Sequence, residues 1–107
     1  MSGPEPLRLP DDTLVTIEEA AMRIRLSGNL DLLRASRLKE GVQPHLVRGK
    51  AIFLDLQDCQ WIDSAGFATL MRLAESSGEK IRVAWAPSQV RAAVLHLGLE
   101  SWIILED

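Results

Sequence analysis

Hydrophobic and polar positions change period along this chain, and each change predicts an element. Leu14–Glu18 is β-prone, and residues 22–26 alternate cleanly, with Met22, Ile24 and Leu26 on one side and Arg23 and Arg25 on the other. The short polar link Glu18-Glu-Ala-Ala21 predicts that these two strands form a hairpin. Gly28-Asn29 ends the second strand. Leu38, Val42 and Leu46 then recur four apart, which predicts a helix from near Asp31 to near Val47. Pro44 lacks a backbone donor and should kink or end that helix. Ala51–Leu56 is a nearly continuous apolar run, as expected of a strand covered on both faces.

After the polar stretch Gln57–Gln60 comes Trp61-Ile62, and then a second helix. Phe67, Leu70, Met71 and Ala74 form its expected buried stripe. Asp63 or Ser64 supplies its N-cap, and Gly78 stops it. Ile81–Trp85 reads as a strand. Pro87-Ser88 opens a third helix with Val90, Ala93, Val94 and Leu97 inward and Gly98 as its stop. Trp102–Leu105 closes the pattern as a short strand or an extended tail.

The order β-β-α-β-α-β-α-β implies parallel crossovers. The expected fold class is α/β, a small mixed, mostly parallel sheet flanked by helices. Residues 1–12 carry Pro4, Pro6, Pro10 and Asp11-Asp12 and read as a flexible proline-rich tail. Residues 13–107 are expected to form a single domain.

Composition narrows the function. Apolar residues make up 47% of the 107 and charged residues 25%, which excludes a largely disordered chain. The net charge of −3 leaves no electrostatic footprint for nucleic acid. Cys59 is the only cysteine, so an internal disulfide and a cysteine-based zinc site are excluded, and a reducing, cytoplasmic setting is expected. No stretch approaches the roughly 18 apolar residues of a membrane span, and the first residues lack the pattern of a signal peptide. Direct membrane insertion is therefore not expected.

Enzyme chemistry finds no support. His45 and His96 fall in no metal-ligand spacing, and no dinucleotide fingerprint or phosphate-binding loop is present. Neither a cofactor nor a catalytic residue is expected. Ser64 lacks the GxSxG surroundings of a nucleophile elbow, and no neighbouring cation activates Cys59. Asp55, Asp58 and Asp63 are too dispersed for a receiver-type magnesium site.

The informative stretch is Trp61-Ile-Asp-Ser-Ala-Gly-Phe67, where an Asp-Ser pair sits between a strand and an amphipathic helix. Ser64 lies where a helix gathers unpaired N–H groups and partial positive charge. It either caps that helix or accepts a phosphate, which this position favours locally. Gly66 permits close approach, by another protein or by a neighbouring loop.

Four segments together resemble the STAS domain, specifically the bacterial anti-sigma factor antagonists. They are Arg25-Leu-Ser-Gly-Asn-Leu-Asp31, Ile52-Phe-Leu-Asp-Leu56, Ile62-Asp-Ser-Ala-Gly-Phe67, and Ser88-Gln-Val-Arg91 followed by Leu97-Gly-Leu99. The resemblance covers about residues 13–105. It implies phosphorylation at Ser64 and a partner surface of Asp31, Asp63, Ser64, Ala65, Gly66 and Phe67, extended along the exposed helix face by Thr69 and Arg72. It also implies partner switching. The unphosphorylated protein would bind a kinase-type anti-sigma factor, an ATPase that acts as a serine kinase. Phosphorylation would release it, and a PP2C-type phosphatase would restore it. Two departures stand out. Asn29 replaces the family's usual Glu, which removes one contact with a basic partner, and Ala65 replaces a second serine. Ala65 also suits a STAS subunit bound to the ATPase of a lipid-transport ABC system, the alternative reading.

Overall fold

The computed structural model describes residues 6–106. A six-stranded sheet runs in the order β1-β2-β3-β4-β5-β6, formed by Leu7–Arg8, Leu14–Ile17, Ala21–Arg25, Ala51–Asp55, Ile81–Ala84 and Ile103–Leu105. The first three strands pair antiparallel and the last four pair parallel. Helices α1 (Leu32–Val42), α2 (Ser64–Ser77) and α3 (Ser88–Leu97) make the crossovers. The fold class is thus the mixed, mostly parallel α/β sheet that the periodicity predicts.

Local chemistry sets most element ends. The hairpin closes where the Glu18 amide donates to the Ala21 carbonyl at 2.8 Å. Helix α1 stops at Val42, and Pro44 follows inside a 3₁₀ turn over Gln43–His45. Gly78 and Gly98 end α2 and α3 in the left-handed conformation.

Each crossover advances one strand in the same direction, and right-handed crossovers then put all three helices on one face. Met22, Ile24, Ile52, Leu54, Ile81 and Val83 point to that face and join Leu38, Leu70 and Val90 in one core. Strand β4 is therefore not covered on both faces. Its Phe53 lies on the opposite side, half-buried, with the Arg23 guanidinium 4.5 Å from its ring centroid. The apolar run was misleading because a cation, and not a second helix layer, covers this ring.

Three further expectations change. Leu7 and Arg8, placed by the sequence in a loose tail, form the edge strand β1 opposite Val15 and Leu14. Beyond them Leu9 packs on the core and Asp11, its side chain nearly buried, pairs with Arg34 at 3.9 Å. Prolines flank these residues without occupying the ladder, so they do not prevent pairing. Residues 1–5 of that expected tail lie outside the described residues. Leu97 faces solvent, and Leu99 of the following 3₁₀ turn is buried instead. In α2, Met71 is only half-buried, while Gly66, Thr69, Leu73 and Ser77 join the buried side. This helix packs on both β4 and α1, so its buried arc is wider than one stripe.

Candidate functional site

The carboxyl ends of the parallel strands gather three loops and the starts of all three helices. Leu30 and Ile62 meet there in an isolated parallel bridge, which zips the loop before α1 to the loop before α2. The Leu30 amide donates to Trp61 at 3.2 Å, and the Asp63 amide donates to Leu30 at 3.1 Å. This bridge sets the starts of α1 and α2 side by side.

Both helices are capped by aspartate. Asp31 Oδ1 accepts from the Arg34 amide at 2.9 Å, and Asp63 Oδ1 accepts from the Gly66 amide at 2.8 Å. Each carboxylate meets the positive end of its helix. Asp63 therefore does the capping that the sequence left open between two residues. Ser64 is the first helical residue, it is exposed, and its hydroxyl makes no hydrogen bond among the described residues.

The backbone around Ser64 is held from three sides. In an extended segment, alternate residues direct their N–H and C=O to opposite sides. Trp61 and Asp63 bond Leu30 on one side. On the other, the Gln89 side chain acts as a substitute strand. Its Oε1 accepts from the Ile62 amide and its Nε2 donates to the Ile62 carbonyl, both at 3.0 Å. Asn29 Oδ1 accepts from the Gln60 and Trp61 amides at 2.7 and 3.2 Å. Arg34 donates back to the carbonyls of Ser27 and Asn29, across Gly28 in its left-handed turn. Asn29 thus turns its amide inward to hold the neighbouring loop. Asn29 has a structural role that spacing could not reveal.

The Gln89 clamp has a local readout. Gln89→Ala should speed hydrogen exchange of the Ile62 amide by about tenfold, the loss of one hydrogen bond worth roughly 1.4 kcal/mol. The Asp63 amide, bonded to Leu30, serves as the control. Equal exchange at Ile62 in both proteins would mean that the clamp carries no weight.

Not all residues of the expected partner surface reach it. Asp31, Asp63 and Ala65 are half-buried beside exposed Ser64, and Arg72 is exposed farther along α2. Gly66 and Phe67 are buried. Thr69, expected on the exposed helix face, is only 9% exposed. It lies within the arc that α2 buries against α1 and β4, so it is removed from the surface.

Other titratable groups lie apart from any shared chemistry. Asp55 is held by Gln57, Asp58 pairs with Arg25 at 3.3 Å, and Asp63 caps α2, so the three carboxylates do not converge. Among the described residues, no group of three or more His, Cys, Asp or Glu could hold a metal ion. His45 follows the end of α1 and His96 ends α3. Both therefore lie toward the opposite end from Ser64, out of reach as a base. Burial raises the Cys59 thiol above its ordinary pKa, partly offset by backbone hydrogen bonding from Trp61 and Leu30 and by the charge of Arg34. The thiol should stay protonated at pH 8, and an alkylating reagent should label it only on unfolding, as read by mass. Prompt labelling of the native protein would contradict that burial.

A signal that spacing did not carry is exposed apolar surface. Leu32 and Leu33 at the start of α1, Trp61 before α2 and Trp85 before α3 are 68%, 58%, 39% and 67% exposed. The loop order places them on both sides of Ser64. Leu7, Val47, Leu95 and Leu97 are exposed elsewhere on the domain.

Comparison with known proteins follows the same lines. A family model described as "Mlab, STAS domain" matches residues 13–106. No curated protein matches the chain. Among solved structures, the Thermotoga maritima protein TM1081 superposes with a TM-score of 0.75 at 19% identity, over 87% of this chain and 84% of that one. An anti-sigma factor antagonist from Mycobacterium paratuberculosis gives 0.71 at 22% identity, over 92% and 89%. The unphosphorylated anti-sigma factor antagonist SpoIIAA, a Bacillus cell fate determinant, gives 0.70 at 19% identity, over 89% and 88%. At such identities the likeness is one of fold.

Proposed function

The chain belongs to the STAS domain family, and from that premise we propose that it is a non-catalytic anti-sigma factor antagonist working by partner switching. In this reading the unphosphorylated protein binds a kinase-type anti-sigma factor through the surface around Ser64. The kinase phosphorylates Ser64 and the complex dissociates. A PP2C-type phosphatase resets it. No helix among the described residues is long and apolar enough to cross a membrane, and we place the protein in the cytoplasm with its partners.

One observation carries the reading. The Ser64 hydroxyl is exposed and unbonded because Asp63 already caps α2. A serine needed for the cap would leave the helix start frayed on modification. Here a phosphate adds nearly two negative charges beside free N–H groups without displacing any bond. The exposed leucines and tryptophans around it supply the contact that the charge disrupts.

A second reading has its own support. Ala65 after Ser64, together with the matching family description, favours a STAS subunit seated on the ATPase of a lipid-transport ABC system. That role uses Ser64 for contact alone. Capture from host lysate with wild type, Ser64→Ala and Ser64→Glu, followed by mass spectrometry, separates the two. Partner switching predicts a kinase-type ATPase held by wild type and Ser64→Ala and lost with Ser64→Glu. A transporter ATPase held by the wild type would replace that proposal with the second.

A further inference from the structure

Asp11 is a nearly buried carboxylate that lies ahead of residues 13–106, the span the family model matches. It sits on a tight loop. The Leu9 amide donates to the Thr13 carbonyl and the Asp12 amide to the Leu9 carbonyl, both at 2.9 Å. This loop lies along α1. Leu9 covers Gly41, where a Cβ would fall 2.6 Å from Leu9 Cδ2, and Asp11 meets Arg34 at 3.9 Å. Arg34 and Gly41 are about two turns apart on one helix face, so a single strap makes both contacts.

The strap reaches the loop between β3 and α1 in two places. Thr13 is buried, and its hydroxyl accepts from the Ser27 amide at 3.2 Å. Arg34, held at Nε by Asp11, donates from the same guanidinium to the carbonyls of Ser27 and Asn29. A guanidinium presents its donors in a rigid fork, so fixing one end aims the other. Gly28 lies between those carbonyls, and a side chain on it would strike the Arg34 guanidinium. Asn29 passes the hold onward, because its Oδ1 accepts from the Gln60 and Trp61 amides. Leu30, the next residue, bridges Ile62, two residues before Ser64. Contacts are therefore continuous from Asp11 to the segment that presents Ser64.

We propose that Asp11 and Arg34 are positioning residues for Ser64, holding the loop before it in the form that a partner binds. This deepens the reading of Ser64 as a partner-binding serine and rests on it. The Asp11 side chain is only 7% exposed, so it acts through Arg34 and not by touching the partner. A surface ordered before docking loses less freedom on docking, so affinity rises without a new contact.

The test reads the loop and the partner separately. Amide exchange is compared in wild type, Asp11→Asn, Arg34→Gln and the double variant, with the Leu54 amide of interior strand β4 reporting global opening. Asp11→Asn keeps an oxygen for the Thr13 amide, whose bond to Asp11 Oδ1 is 3.1 Å, and removes the charge. Relative to Leu54, exchange of the Gln60 amide should quicken on the order of tenfold in Arg34→Gln and threefold in Asp11→Asn. The double variant should match Arg34→Gln, since Asp11 acts through Arg34. The ATPase captured by wild type is then purified and titrated. It should bind Arg34→Gln about tenfold and Asp11→Asn about threefold more weakly. Unchanged Gln60 exchange, a rise matched at Leu54, or effects that multiply in the double variant would overturn the proposal and leave the Ser64 reading intact. Faster Gln60 exchange with equal affinity would overturn it too. If wild type holds no ATPase, the Ser64 reading fails, and this proposal fails with it.

Discussion

Gly66→Ala should destabilise the fold by about 2 kcal/mol and lower Tm by roughly 10 °C. A Cβ at this position would lie 2.6 Å from Ile62 Cγ2 and 2.7 Å from the Leu30 carbonyl oxygen. The first neighbour could rotate, but the second is backbone held in the Leu30–Ile62 bridge. Relief would require α2 to move away from the loop before α1. The same shift would lengthen the bond from Asp63 to the Gly66 amide and loosen the cap. The sequence left Gly66 open between admitting a partner and admitting a neighbouring loop. The neighbouring loop is what occupies the space. Thermal unfolding followed by circular dichroism checks this, and a variant melting within about 2 °C of wild type would show that the bridge yields freely.

Ser64→Glu should weaken binding of the purified ATPase on the order of 100-fold, about 3 kcal/mol, while Ser64→Ala should stay within about 0.5 kcal/mol of wild type. The asymmetry follows from the geometry. The Ser64 hydroxyl makes no hydrogen bond among the described residues, so its removal leaves the fold unchanged. A glutamate there carries its charge into contact with the partner, where it must shed water. Melting temperatures of the two variants should agree with wild type within a few degrees, about the scatter expected for surface changes. Equal affinity of both variants would remove the switch and leave Ser64 a simple contact residue.

Much of the fold was legible because it is written locally. The α2 boundaries follow from Asp63 before an amphipathic run and Gly78 after it, and the structure places the helix at Ser64–Ser77. Strand β3 follows from alternation of Met22 and Ile24 with Arg23 and Arg25. The failures share a cause. Leu7–Arg8, Phe53, Thr69 and Leu97 were misplaced because their environment depends on elements distant in sequence. Periodicity shows that a residue belongs to a face, but not what covers that face.

The same division holds at the site. By itself the sequence determined the element order from Leu14 onward, the helix start at Asp63-Ser64, and the absence of recognisable metal and nucleotide motifs. These rest on spacing and capping, which act over three or four residues. Only the tertiary structure decided that Asp63 and not Ser64 makes the cap, that Asn29 and Gln89 hold the backbone beside it, and that Leu32, Leu33, Trp61 and Trp85 are left exposed. Asn29 is 31 residues from Gln60, and Gln89 is 27 from Ile62. Such contacts exist only once the parallel strands bring their carboxyl ends together, because no local rule relates residues so far apart in sequence.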